Sequence, residues 1–283
     1  MSISIFTGKA LSQKTLKMKT TPSKLKYIII ILLAFISSVA CSQVRFKKGD
    51  EFQRQVLTKS NCVLQRGGQT LHVSSFSIVI KTYKVTDVSE KGVYFTITTD
   101  KLIDTINAMD QNLVYNSGKP VDPNSAIQAG LQKIVNTQSI VLVNNKGEIL
   151  SLKAHTAVND TLLSFTGIQP EYLLPGATLQ FIADFPVNPA FKKGYSWTNS
   201  TPSKTTNYTV YDISGRTTTI THKTSILGGN LNSRINGSML IDNFSGVILK
   251  RYSQSVSAGY EIVNGIVYTA TRRTAVTEVN IKK

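Results

Sequence analysis

The chain has 283 residues, with 32 lysines and arginines against 16 acids, three histidines and two cysteines. Two cysteines cannot form a disulfide framework and three scattered histidines cannot form a zinc cluster, so a chain of this length must be stabilised by a buried apolar core. The formal charge of +16 predicts attraction to polyanions.

Residues 1–42 hold six lysines (Lys9, Lys14, Lys17, Lys19, Lys24 and Lys26) and no acid. An unbroken apolar run, IIIILLAFI, follows from Ile28 to Ile36, then small residues at SSVAC. A basic region, a short apolar region and small residues predict a secretory signal peptide. Nine apolar residues are too few for the roughly 20 that a membrane-spanning helix needs. Met18 opens a more compact signal, MKTTPSKLKY, and is the alternative start. Ser38, Val39, Ala40 and Cys41 resemble a bacterial lipobox, which predicts acylation of Cys41, although Ser38 stands where a large aliphatic residue is usual. The same small residues suit the ordinary signal peptidase, so both processing routes stay open. With two acyl chains the anchorage would be stable, whereas one chain binds a membrane only marginally. Cys62, in NCVLQR, reads as a small buried hydrophobe.

Beyond the signal, residues 43–283 read as one β-rich domain. HVSSFSIVIKTYKVTDV and GVYFTITTDKLIDTI flank the turn Ser89–Gly92 as a long hairpin, and SIVLVNNKGEILSL turns at Asn144–Gly147. The middle of the chain carries the helical signals. VDPNSAIQAGLQKIVNT offers Asp122 as N-cap and Pro123 at the first helical position, with Ile127, Leu131, Ile134 and Val135 on one face. A weaker second helix begins near Asn159 and is broken by Gly167 and Pro170. Strands then resume, with turns at Ser214-Gly215, Gly228-Gly229, Ser245-Gly246 and Asn264-Gly265. Strands that follow one another directly predict an antiparallel sheet. The fold class is therefore mainly β: a large curved antiparallel meander or half-barrel with one or two helices inserted mid-chain.

The tetrapeptide FKKG occurs twice, at Phe46–Gly49 and Phe191–Gly194, each followed by an aromatic residue, Phe52 or Trp197. A similar hairpin lies farther on in each half, VLVNNKGEIL and LIDNFSGVIL. These matches predict two related halves, about 46–150 and 185–283, around a helical and loop insert. FKKG itself reads as a strand-entry device, with glycine at the bend, lysines in water and the flanking aromatics in the core.

Taken together, the signal ending in cysteine, FKKGDEF, LVYNSGKPVD, NNKGEI, FPVNPAFKKGYSW and GSMLIDNFSGVI resemble an uncharacterised family of secreted or lipid-anchored bacterial β-proteins. That resemblance implies no activity. More loosely, the architecture resembles the half-barrels of periplasmic lipoprotein carriers, which implies a curved sheet holding acyl chains; this is fold analogy alone.

Catalytic signals are missing. His72, His155 and His222 are far apart, and the sequence has no HExxH, no GxSxG before a helix and no phosphate loop. No catalytic residue, cofactor or metal is predicted. Removing the first 42 residues leaves 26 basic residues against 16 acids, and the surplus is greatest after residue 200. Lys250, Arg251, Arg272 and Arg273 are the candidate contacts with an anionic surface, which for an exported chain is the envelope and not nucleic acid.

The reading is a non-catalytic exported envelope protein, located in periplasm or outer membrane or secreted, that binds or carries an apolar, acyl-chain-like ligand. Its alternatives are an envelope scaffold or adaptor acting through the basic C-terminal half and, further down, a hydrolase with a dispersed site.

Overall fold

The computed structural model describes residues 46–108, 110–135, 137–154, 168, 173–185, 191–263 and 265–282. The expected signal peptide, Cys41, His155 and almost all of the second expected helix lie outside these residues.

Twelve strands form one antiparallel sheet. The first half contains β1 (Glu51–Arg66), β2 (Gln69–Ser89), β3 (Gly92–Ala108), β4 (Gln111–Asn116), β5 (Gln138–Val143) and β6 (Ile149–Ala154). The second contains β7 (Ser196–Ser200), β8 (Lys204–Ser214), β9 (Thr217–Ile226), β10 (Leu231–Asp242), β11 (Ile248–Val263) and β12 (Ile266–Lys282). Their order is β6-β5-β3-β2-β1-β12-β11-β10-β9-β8-β7, with β4 on β3. The predicted meander is present, and the sheet is open and curved. Its two halves join where β1 pairs with β12, from Gln53 opposite Lys282 to Gln65 opposite Thr269.

Alternation along the strands sets the two faces. On β1, Phe52, Arg54, Thr58, Ser60, Cys62 and Leu64 are buried on the inner face, while Lys59 and Asn61 are exposed on the outer. One helix is present among the described residues, α1 (Ala126–Gln132), and it packs Leu131 onto Val79, Leu102 and Tyr115. It starts later than its sequence suggests. Ser125 is the N-cap and accepts from the Gln128 amide, while Asp122 accepts from the Asn124 amide and closes a turn. Pro123 thus lies in that turn, because a short side chain next to the helix satisfies its free amides better than one three residues away.

Both FKKG copies make the same bend. Gly49 and Gly194 have φ of 94° and 85°, which glycine adopts without a Cβ penalty. The Gly49 amide donates to Val85 O at 2.9 Å and the Gly194 amide to Val210 O at 2.8 Å. Phe46 meets Phe52 edge-on at 5.4 Å, and Phe191 stacks on Trp197 at 5.2 Å. Register carries the correspondence onward. Phe52 opposes Tyr83 as Trp197 opposes Tyr208, and a bulge follows in each case, after Val85 and after Val210.

The stretch Leu173–Ala183 lies between the two matched hairpins. Leu179 donates to Gly147 O, and Ile149 to Ala177 O; Ala183 donates to Gly246 O, and Ile248 to Phe181 O. Phe181, fully buried, contacts Phe46, Phe52, Tyr83 and Phe95 at centroid distances of 4.6–6.1 Å. This stretch fills the inner face at the end where both FKKG bends lie.

Candidate functional site: the inner face of the sheet

The inner face passes through three zones along the strands. Nearest the FKKG bends it is an apolar core closed by Phe181, α1 and Ile168. The middle is polar and rich in hydroxyls. At the far end, beside the β1–β2 and β11–β12 turns, a separate apolar cluster forms.

In the middle zone, β-register places Asp104, Ser77 and Thr58 in one row, and Ser75, Ser60, Thr274 and Ser255 in the next. Several hydroxyls satisfy one another across strands: Ser60 with Thr274 at 3.3 Å, Thr206 with Thr224 at 3.0 Å and Ser233 with Ser257 at 2.7 Å. Asp104 differs. It is fully buried, and neither carboxylate oxygen has a hydrogen-bond partner, nor does Ser77 Oγ beside it. Burial raises its pKa to about 7, outweighing the opposing pull of the neighbouring Thr105 backbone amide, which lies outside good hydrogen-bond geometry.

The inward arginines of this face are paired with carboxylates. Arg54, 2% exposed, donates to Glu278 at 2.7 Å and to Ile248 O at 3.3 Å. Arg251 reaches the other oxygen of Glu278 at 3.4 Å and donates to Gln180 O at 3.0 Å. These bonds clasp β1, β12, β11 and the stretch around Gln180 together. A water-sized cavity of about 30 Å³ lies here, lined in part by Arg54, Lys81 and Glu278.

Comparison of the halves reveals a second polar group. His222 opposes Tyr208 as Ile97 opposes Tyr83, and Arg251 opposes Met239 as Leu152 opposes Val141. Histidine and arginine therefore occupy, in the second half, positions that the first half fills with aliphatic side chains. Tyr208 donates to Asp184 at 3.2 Å, which together with burial raises the phenol pKa. His222 Nε2 is buried without a partner, and burial and the Arg251 charge lower its pKa. Its ring lies over Gly237, where a Cβ would come within 2.5 Å of Nε2. With Nε2 unpartnered, His222 forms no nucleophile–base hydrogen bond through that atom. Nor do the described residues bring three or more His, Cys, Asp or Glu together as metal ligands.

At the far end, buried Cys62, Leu64 and Ala270 pack with half-buried Leu71, Val73, Leu231, Val263 and Tyr268. No residue of α1 or of Leu173–Phe185 belongs to this cluster. Burial raises the Cys62 thiol pKa, in keeping with an apolar role. A cleft of about 690 Å³ adjoins it, sharing Cys62, Leu71 and Val73 with the cluster and bounded by Asn107 and Ala108 of β3 and by Asp110, Gln111 and Asn112. The cleft exists because β3 turns away at Ala108, opposite Val73, while β2 continues to Gln69.

The four basic residues singled out from the sequence do not form one surface. Arg251 and Arg272 point inward, paired with Glu278 and Glu261 at 3.4 and 2.6 Å. Lys250 and Arg273 are exposed on the outer face. Period-two alternation separates Arg272 from Arg273 although they adjoin in sequence.

Neither a family model nor a curated protein matches the chain. Solved structures to which it is similar include OpdQ of Pseudomonas aeruginosa, 9% identical over 82% of this chain and 69% of that one, TM-score 0.20; an outer membrane channel of P. putida F1, 6% over 84% and 98%, TM-score 0.26; and OccK2 of P. aeruginosa in complex with glucuronate, 5% over 83% and 100%, TM-score 0.23. Scores of this size carry no argument about function.

Proposed function

We propose that the protein is an exported, non-catalytic envelope protein that binds an apolar, acyl-chain-like ligand at the far end of its inner face. The observation that carries this reading is the cluster around Leu64, Leu71, Val73, Leu231, Val263 and Tyr268. These inward apolar side chains are not used by the helix or by the stretch around Phe181, and two of them, Leu71 and Val73, line a cleft whose volume lies within the range of small-molecule sites. Nearer the FKKG bends the inward apolar positions are covered by the stretch around Phe181 and by α1, whose Phe181 and Leu131 are fully buried. Export rests on the signal-like residues 1–42 and anchorage on Cys41. A scaffold role through the basic outer face is the second reading, and it is supported by the outward position of Lys250 and Arg273.

Organic extraction of gently purified protein, followed by mass spectrometry, tests the first reading. It predicts one co-purifying lipid per chain, and binding of a fluorescent fatty-acid analogue that weakens at least tenfold in Leu71→Lys with Val73→Glu. A lipid-free extract together with unchanged analogue binding in that variant would refute it.

A further inference from the structure

Charge is sorted by face in the second half of the sheet. Glu261 and Glu278 both point inward and neutralise inward arginines. The outer face of the same strands keeps its cations without acids. Register places them closely: Lys59, Ala275, Gln254, Asn236 and Lys223 form one row across β1, β12, β11, β10 and β9. Arg273, Val256 and Arg234 form the next row, roughly 7 Å along the strands. Lys59, Lys223, Arg234 and Arg273 are all exposed. From these rows to the β11–β12 turn, the outward residues of β1, β9, β10, β11 and β12 include no Asp or Glu.

Exposed apolar side chains continue the patch on the same face. Val256 is 49% exposed, Tyr260 45%, and the facing pair Ile262 and Val267 55% each. Alone, a cationic face would fit any polyanion. Cations followed by a tyrosine and an aliphatic hairpin end are the arrangement of a surface that meets phosphates and then the headgroup–acyl boundary. We infer that this outer face docks on an anionic phospholipid bilayer, with Lys59, Lys223, Arg234 and Arg273 on the phosphates and Tyr260, Ile262 and Val267 in the interface. The inference deepens the second reading above and does not depend on an apolar ligand inside the sheet. It also replaces two of the four residues taken from the sequence, since Arg251 and Arg272 already neutralise carboxylates on the other face.

A Cys41→Ser protein, which no acyl group can anchor, tests the surface by sedimentation with phosphatidylcholine vesicles that contain or lack phosphatidylglycerol. Binding is expected only with phosphatidylglycerol and is expected to fall steeply with salt. Arg234→Glu with Arg273→Glu lowers the partition coefficient by roughly 30-fold or more, each cation near the surface contributing about fivefold. Ile262→Ser with Val267→Ser weakens binding but leaves the salt dependence. A matching thermal melt shows that each variant is folded. The inference is overturned by unchanged partition of the charge-reversed protein, by equal binding to neutral vesicles, or by retention on a nucleic acid or heparin column without vesicle binding. Lipid content of the extract is a separate readout, so the acyl-ligand reading stands or falls independently.

Discussion

The buried carboxyl of Asp104 makes a quantitative demand on stability. Its two oxygens and Ser77 Oγ have no hydrogen-bond partners, and its side chain has no solvent exposure. In the unfolded chain the group titrates near its ordinary 3.8, and in the folded sheet near about 7. Below the lower value both states hold the proton and the group adds no penalty. Between the two values the unfolded chain releases the proton while the folded chain keeps it, so stability falls as pH rises, by about 1.4 kcal/mol per pH unit. Above about 7 the folded chain bears an unpaired buried carboxylate, and the accumulated loss is about 4 kcal/mol. Asp104→Asn keeps the shape and removes the charge, at a cost of about 1–3 kcal/mol for any amide hydrogen left unpaired. Urea unfolding of both proteins across the range from acid to mildly alkaline pH isolates the effect, because every other titrating group cancels in the difference. The variant is expected to be less stable than or equal to the wild type in acid and to overtake it above neutrality. A difference that stays constant with pH would refute the reasoning and show that Asp104 is paired or hydrated in solution.

Other perturbations test packing and the correspondence of the halves. Glu278→Gln leaves Arg54, 2% exposed, without its carboxylate and is expected to cost about 3–5 kcal/mol in urea unfolding, with most of the loss recovered when Arg54→Met is added. Gly49→Ala and Gly194→Ala each force a Cβ into positive φ but meet nothing within 4 Å, so the two should lower stability by the same amount, about 1 kcal/mol. At Gly237 a Cβ would meet both His222 Nε2 and Tyr252 O at 2.5 Å, and Gly237→Ala is expected to cost about 1–3 kcal/mol and to shift the histidine's NMR titration. Phe181→Ala removes a fully buried ring in contact with four others and should cost about 3–5 kcal/mol.

Much of the fold is legible locally. Glycine turns between β-branched runs locate nearly every hairpin, and the repeated FKKG marks a repeated bend, because these signals act through φ and through alternation over a few residues. The pairing of β1 with β12 is not local. Nothing within Glu51–Arg66 or Ile266–Lys282 names the other as partner, and only the closing of the meander brings the two together. The sites are less legible still. That His222 replaces Ile97 emerges only when the bulges after Val85 and Val210 are aligned. The far-end cluster draws one or two residues from each of five strands, none of them unusual in its own strand. Arg272 and Arg273 look like one basic motif, yet a strand sends consecutive side chains to opposite faces.

The repeat also accounts for the open edges of the sheet. By register β7 corresponds to β1 and β6 to β11, and in the middle of the sheet β1 and β11 flank β12 on either side. The outermost strands are thus the counterparts of two strands that each require a neighbour like β12, and closing the sheet in the same pattern would take a thirteenth strand between β6 and β7. In the connection from β6 to β7, Leu173–Ala183 does not fill that place. It binds the Gly147 and Gly246 turns and inserts Phe181 into the core instead. The exposed edges stay short, six residues in β6 and five in β7, which limits the length of unpaired backbone offered to other chains. Among the described residues β1·β12 is the one strand pairing between the two halves, and the Arg54–Glu278–Arg251 clasp reinforces that seam while Leu173–Ala183 bridges the halves from the inner face. That position explains why two arginines and a glutamate are kept in a buried layer that the rest of the inner face fills with hydroxyls.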